Sequence, residues 1–509
     1  MIIAFVLLSV VGVVAIGMFV ARRVEGDRTS FLVAGRGMAL PLVAAGLMGQ
    51  AVDTNATLGN TDLSAAGGFW AGYTLPLGLA ICLILTGTLL AARMNRAILF
   101  TLPDAFGRRY GRPVETTTAV LLVLAFTILI AGNLVAGGFL FEEFLGTPYW
   151  FGVVLIVGAV LAYTAAGGML SDAYTALVQM VITVVASLSL LLWLVLGPGI
   201  SVPDGAGPFD LEQLTSGSSG AVLNWATLIS LGIGDIVAID FMQRVFTARS
   251  PGTARRACYV AATGAALVGI PYSLLAISSP ALLGGPAEGP VLFAVLQTVA
   301  PVWLTVLVLC GIVAAGMSTA NGAILGSAAV LVRNVAGRRS ADEEEVGPGV
   351  VEAMVGARGA GVDPVVRATR WCMLPVVGVA ILLALEVPET GVLLVLAFDL
   401  MLACLVVPFL FGVWYSRGTA AAAMSAMVAG FVVRLVFFAL TPTFYGAENT
   451  LLYVENDIVG AGFDGWATFV APVVSLLVYL AVCSVTRKRP ATGATIERAA
   501  TAREPSAAA

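Results

Sequence analysis

The chain has no histidine, a single lysine (Lys488) and six cysteines placed one at a time, at 82, 258, 310, 372, 404 and 483. The missing histidine removes the commonest general base and metal ligand. The scattered cysteines lay out neither a disulfide framework nor a metal spacing. An aspartate-rich phosphate motif is also absent, so an embedded transferase or hydrolase has no constellation to work with, and the expectation is that the protein is not an enzyme. Charge itself is scarce: 11% of the 509 residues are charged against 59% hydrophobic, with a mean hydropathy of +0.98. That balance lies far outside the range of soluble domains and reads as an all-α polytopic membrane protein. The net charge of -4 says nothing about nucleic acid, and none is expected as a partner.

Apolar runs of spanning length lie near 2–20, 38–62, 69–92, 114–140, 149–166, 171–196, 222–243, 257–283, 302–332, 372–386, 390–413, 419–440 and 466–486. They predict about thirteen helices. With the amino terminus outside, 25 of the 26 basic residues, Arg244 among them, fall in cytoplasmic segments and only Arg434 stands within a span. The positive-inside rule then places the carboxyl terminus in the cytoplasm of a multi-pass cell-membrane protein. The first span carries its arginines after the apolar run, so it reads as a retained anchor.

Residues 44–62, AAGLMGQAVDTNATLGNTD, are unusual for a span. Gln50, Asp53, Asn55, Asn60 and Asp62 interrupt an apolar helix in which Gly46, Gly49 and Gly59 loosen the backbone. A carboxylate near the bilayer centre costs about 2.5–3.5 kcal/mol on insertion scales, so it faces a cavity, an ion or a partner. Carbonyls freed at that depth bind cations in broken transporter helices. The stretch therefore predicts a discontinuous helix with a site at its break; a plain span whose Asp and Asn pair with neighbouring helices is the competing reading. Downstream, Trp70 reads as part of an interfacial aromatic belt, whereas Phe69 or Tyr73 could roof a cavity.

The span LNWATLISLGIGDIVAIDF repeats the anomaly, with Gly232 and Gly234 beside Asp235 and Asp240. One such helix opens the second to sixth spans and the other the seventh to eleventh. Five is odd, so two such copies run in opposite directions through the membrane, and paired Gly-interrupted helices in inverted halves point to a midplane transport site. Gln50, Asp53, Asn55, Ala56, Tyr73, Asp235 and Asp240 are the substrate-binding or coupling candidates. Asp172, after the Gly167–Gly168 turn, suits either a helix N-terminus or an ion. In the ninth span Ser318 and Thr319 offer hard oxygen ligands, although small residues there also serve close packing.

The resulting map assigns 1–37 to an amino-terminal helix and cytoplasmic turn, 38–196 to a first inverted repeat and 197–221 to an extracellular loop. Residues 222–413 form a second repeat that includes a cytoplasmic linker at 333–370. Two carboxy-terminal helices follow at 414–486, flanking an acidic outer loop, and 487–509 reads as a disordered cytoplasmic tail.

Taken in order, AVDTNATLG, LPDAFGRRYG, YTAAGGMLSDAYTALVQ, FMQRVFTARSPGTARRA and AAGMSTANGAILGSAAVLVRN resemble the sodium/solute symporter family across roughly residues 1–440. The family includes sodium/proline, sodium/sialic acid and sodium/sugar carriers. The resemblance implies a LeuT-like inverted five-plus-five repeat with one extra helix before it and two after. It also implies Na+ as coupling ion, held by carbonyls of Gly49, Val52 and Ala315 and hydroxyls of Ser318 and Thr319. Asp53 matches an acid that proline carriers place beside that site, and Asn55 and Ala56 fall at substrate-contacting positions. Where relatives often carry Thr-Asp this chain reads Thr175–Ala176, which leaves a second sodium unsupported. The expected function is sodium-coupled import of a small organic solute (an amino acid, organic acid or polyol) by alternating access, with no obligate protein partner. Proton coupling on the same fold, or a membrane sensor acting with a separate partner, are the alternatives.

Overall fold

The computed structural model describes residues 2–24, 26–287, 289–338, 362–389, 391–450 and 452–486. The acidic part of the 333–370 linker and the 487–509 tail lie outside the described residues. Ten helices in the described residues are long and apolar enough to cross a membrane, or eleven if the bent pair Ala221–Val237 and Ile239–Thr247 is one span. The protein is thus an all-helical, multi-pass membrane protein, in which helices satisfy their own backbone groups within the apolar layer except where two of them break.

The thirteen apolar runs exceed that number for two local reasons. Residues 149–166 and 171–196 are joined in one helix assignment, Tyr149–Leu196, interrupted only at Gly168 (φ 52, ψ -140). A side chain at Gly168 would run into the Phe31 carbonyl, so glycine is needed both for the positive φ and for the close approach. Gly17 of the first helix, Ile2–Ala21, touches both sides of this kink: Ser171 Oγ donates to its carbonyl at 2.7 Å, and a Cβ on it would lie 2.7 Å from Tyr163 Cβ. The run 38–62 is divided differently, into the 12-residue helix Leu40–Ala51, a break, and the short helix Asn60–Gly67.

At the centre lies Val302–Val330, in which every residue from Val308 to Val330 is buried. A helix apolar all round belongs in the interior. Its glycines set its neighbours' approach: Gly311 meets Ala186 of the Tyr149–Leu196 helix, and Gly322 lies against the side chains of Arg244 and Gln50. Helix starts follow ordinary capping chemistry. Ser250 Oγ accepts from Thr253 N–H at 3.1 Å ahead of Pro251–Leu283, and Thr419 Oγ1 accepts from Ala422 N–H at 3.2 Å ahead of Ala420–Leu440. Between Ala420–Leu440 and Trp466–Val485 a hairpin of two-residue strands, Thr443–Phe444 and Ala447–Glu448, folds back over the bundle.

Candidate functional site

The first break falls at Val52–Thr54. Helix Leu40–Ala51 ends on Val52 (φ -104, ψ 83), which takes its carbonyl out of the helical ladder, and the chain resumes through a wide turn at Asn55–Gly59. Asp53 organises this restart. Its Oδ1 accepts from Ala56 N–H at 2.8 Å, while its Oδ2 accepts from Asn55 Nδ2 at 2.8 Å and Asn133 Nδ2 at 3.1 Å. A carboxylate three residues before the amide it binds is a helix N-cap. The Asp53 carboxylate is therefore directed into the backbone of the break, not into an open cavity. Asn133 supports the same point by accepting from Thr54 Oγ1 at 3.0 Å and Thr54 N–H at 3.3 Å. Asn55 Oδ1 takes the Gly391 N–H at 3.0 Å, and Ala56 is buried.

Just before the break, Leu40–Ala51 meets the central helix. Thr319 Oγ1 lies 2.8 Å from the Gly49 carbonyl and 3.4 Å from that of Ala315, and Gln50 Nε2 donates to the Ser318 carbonyl at 2.8 Å. Ser318 Oγ is buried without a hydrogen-bond partner in the described residues, and it abuts the position where Gly49 would carry a Cβ. Gly49, Ala315, Ser318 and Thr319 thus converge on one spot, with Val52 at the edge of the break beyond it. The donor set is neutral carbonyl and hydroxyl oxygen, which suits a hard monovalent cation, and the unpartnered Ser318 hydroxyl is the group such an ion would satisfy. No cluster of three His, Cys, Asp or Glu occurs in the described residues.

Next to this spot lies a network built on Arg244. The sequence places Arg244 in a cytoplasmic segment after the seventh span; instead the helix Ile239–Thr247 continues through it and leaves its side chain 2% exposed. Its Nη2 pairs with Asp172 Oδ2 at 2.7 Å and its Nη1 donates to the Asp240 carbonyl at 3.0 Å. Asp172 Oδ1 accepts from Asn321 Nδ2 at 2.9 Å, and Asn321 Oδ1 from Thr164 Oγ1 at 2.6 Å. Asp172, four residues after the Gly168 kink, is thus the buried counter-ion of an arginine, a partner that the sequence did not disclose. Gly46 and Gly322 make the room, since a Cβ at either would lie 3.1 Å and 2.7 Å from guanidinium nitrogens.

The second broken helix runs Ala221–Ile229, a wide turn Ser230–Gly234, a tight turn Asp235–Val237, an extended Ala238 (φ -65, ψ 132) and Ile239–Thr247, with a 48° bend. Asp240 Oδ1 accepts from the adjacent Phe241 N–H at 2.6 Å. Asp235 is 1% exposed, and its Oδ1 has no partner in the described residues. Tyr73 donates to the Ala266 carbonyl at 3.2 Å within a cluster with Phe69 and Trp70. Trp70 is tied to the 197–221 loop through Nε1 to the Pro208 carbonyl at 3.1 Å.

The two ends of the broken helices differ. At one end a cavity of about 650 Å³ is walled by Leu63–Gly68, the 203–220 segment, Asn224 and Thr227, Gly391–Val395, and Tyr445 with Gly446. At the opposite end the helices are stitched together, with Met38 N–H donating to the Thr247 carbonyl at 3.0 Å and Arg249 N–H to the Met38 carbonyl at 3.1 Å. Asn95 Nδ2 adds bonds of 2.9 Å and 2.8 Å to the carbonyls of Val245 and Ala248. Asp104 and Glu115 share Asn334 Nδ2 at 2.8 Å and 2.6 Å nearby. None of this closure was foreseen, because its partners lie far apart in sequence.

Residues 31–430 match the family model described as the sodium:solute symporter family. Among curated proteins the chain is 26% identical over 393 residues to a high-affinity choline transporter of Caenorhabditis elegans, covering 72% of this chain and 64% of the relative. It is 28% identical over 375 residues to a sodium/proline symporter of Salmonella typhimurium, covering 66% and 71%. The chain therefore spans about two thirds of these relatives' length. Among solved structures it is similar to a substrate-bound, outward-open Na+-coupled sialic acid symporter, with a TM-score of 0.72 and 13% identity over 97% of this chain and 99% of the other. A nucleobase-cation-symport-1 family transporter gives a TM-score of 0.53 at 12% identity, covering 90% and 94%. At such identities the likeness establishes the shared fold.

Proposed function

Because the chain belongs to the sodium:solute symporter family, we propose that it is a secondary active transporter that imports a small organic solute with sodium. The observation that carries this reading is the meeting of the Gly49 and Ala315 carbonyls with the Thr319 hydroxyl and the unpartnered Ser318 hydroxyl. On this reading the ion replaces the Thr319 hydroxyl at the Gly49 carbonyl, ties the broken helix to the central helix, and so fixes the break where the solute binds. The relatives carry choline and proline by name, which supports a small organic solute. The cavity at one end and the backbone stitching at the other are what an outward-facing state requires, and alternating access would exchange them.

The fuller architecture is part of the same proposal. Counting Tyr149–Leu196 as two spans folded at Gly168, and each broken helix as one, gives thirteen spans. Two inverted five-helix repeats, 38–196 and 222–413, then follow one helix and precede two, with the amino terminus outside and the carboxyl terminus inside. One sodium ion suffices energetically: about 2.3 kcal/mol per 100 mV plus about 1.4 kcal/mol per tenfold gradient concentrates a neutral solute a few hundred-fold. The test is the melting temperature of purified protein in NaCl against KCl at equal ionic strength, for wild type and for Ser318→Ala/Thr319→Ala. A sodium-specific rise confined to wild type is expected, and an equal rise in the double variant removes the ion site from these residues.

A further inference from the structure

The buried aspartates of the spans are paired, with one exception. Asp53 caps a helix, Asp172 binds Arg244, Asp240 accepts an amide, and Asp399 pairs with Arg434. Asp235 takes no hydrogen bond or ion pair from any described residue, although it is 1% exposed. It stands one turn before the extended Ala238, at the break of the second helix, within electrostatic reach of Asp53 at the break of the first. Arg244, the basic side chain closest along the chain, is already held by Asp172. A buried carboxylate with no partner is costly, so Asp235 is charged only when a cation arrives from outside and is otherwise neutralised by a proton.

The surroundings choose between cations. An alkali ion replaces its hydration shell with several oxygens, and such a set meets at Gly49, Ala315, Ser318 and Thr319. The turn that bears Asp235 packs on mixed surface: Gly232 meets Ile81 and the Gly78 carbonyl, and Gly234 lies against the Phe398 carbonyl and Leu402. One carboxylate beside aliphatic side chains and backbone carbonyls suits an organic ammonium, which takes hydrogen bonds and apolar contact together. The approach is consistent, because Thr227 of the cavity wall lies on the arm of the same broken helix that leads into the turn bearing Asp235. Every residue of that wall falls in a stretch free of lysine and arginine (37–92, 113–243, 257–332, 371–416 or 435–486), and Asp204 is among them. An anion entering there would meet no positive side chain.

We infer that Asp235 is the counter-ion for an ammonium group of the transported solute, which is therefore a small organic cation or zwitterion. This rests on the transport reading above. The experiment measures melting temperature in NaCl and in KCl with choline, glycine betaine and proline, against myo-inositol, acetate and 3,3-dimethyl-1-butanol, the uncharged carbon analogue of choline. In sodium, at least one of the three ammonium compounds is expected to stabilise wild type and none of the three controls. Asp235→Asn should weaken that ligand roughly 30-fold or more while keeping sodium's own stabilisation. Stabilisation by a control, no response to any ammonium compound, or unchanged affinity in Asp235→Asn would overturn the inference. Loss of the sodium response in Asp235→Asn would also overturn it, by moving the ion to Asp235. Equal stability of wild type in sodium and potassium, with an ammonium response intact, would sink sodium coupling alone.

Discussion

Gly49→Ala isolates the proposed ion site from the stability of the helix that bears it. Gly49 lies inside Leu40–Ala51 with helical backbone, so alanine gains roughly 1 kcal/mol of helix propensity. The added methyl would collide with Ser318 Oγ and lie 3.3 Å from Ser318 Cβ and 3.5 Å from Met180 Cε. Ser318 can yield by turning its hydroxyl away, which costs about 1 kcal/mol, so the two effects nearly cancel in the sodium-free protein. They do not cancel in sodium, because the methyl occupies the space where the ion would sit. At sodium 100-fold above its dissociation constant the wild-type protein gains about 2.7 kcal/mol, and the variant should gain almost none. The assay is thermal unfolding across a NaCl titration at constant ionic strength with KCl. Gly158→Ala serves as control, since a Cβ there meets nothing within 4 Å, and it should keep the full sodium response. An undiminished sodium response in Gly49→Ala would refute the placement of the ion.

Three other outcomes follow from the polar networks. Asp172→Ala leaves Arg244 buried and unpaired and should cost about 3–5 kcal/mol, read as lost folded yield; Asp172→Ala with Arg244→Met should recover much of it. Asn133→Ala removes the shared support of Asp53 and Thr54 and should lower stability by about 1–3 kcal/mol with a parallel loss of uptake. Asp464→Ala releases the Tyr445 and Gly446 amides, both held at 2.9 Å, and should make the Thr443–Glu448 hairpin a protease-sensitive site; protection equal to wild type would show that the hairpin is held by other contacts.

Both breaks were legible because glycine and acid inside an apolar run conflict with a continuous span. The cap made by Asp53 was equally readable, since Asp53 and Ala56 have the three-residue spacing of an N-cap, yet the carboxylate was read only for a cavity, an ion or a partner on a neighbouring helix, the last of which Asn133 supplies. Pairing was not legible. Hydropathy shows that Asp172, Arg244 and Asn321 are polar, but it carries no record that residues 72 and 149 positions apart meet. Counting arginines by side of the membrane placed Arg244 in a cytoplasmic segment and gave no sign that it is buried against Asp172. Arg434 was located correctly within a span, but its partner Asp399, on the neighbouring helix, went unnoticed for the same reason. The Gly168 kink shows the opposite case, where Gly167–Gly168 marked the bend although the helical assignment runs through it.

The hairpin after Ala420–Leu440 bears on where the working unit ends. Tyr445 and Gly446 form part of the cavity wall, and Asp464 and Thr468 at the start of the last helix hold them there. Phe444 in turn rests on the Arg434 guanidinium, 4.6 Å from ring centre to carbon, and Arg434 is paired with Asp399 of the Val392–Trp414 segment. A chain cut at Trp414 would lose one side of the cavity and strand Asp399 without its cation. The last two helices are thus part of the cavity's frame, and a shortened version of this sequence keeps that wall only if it retains them both.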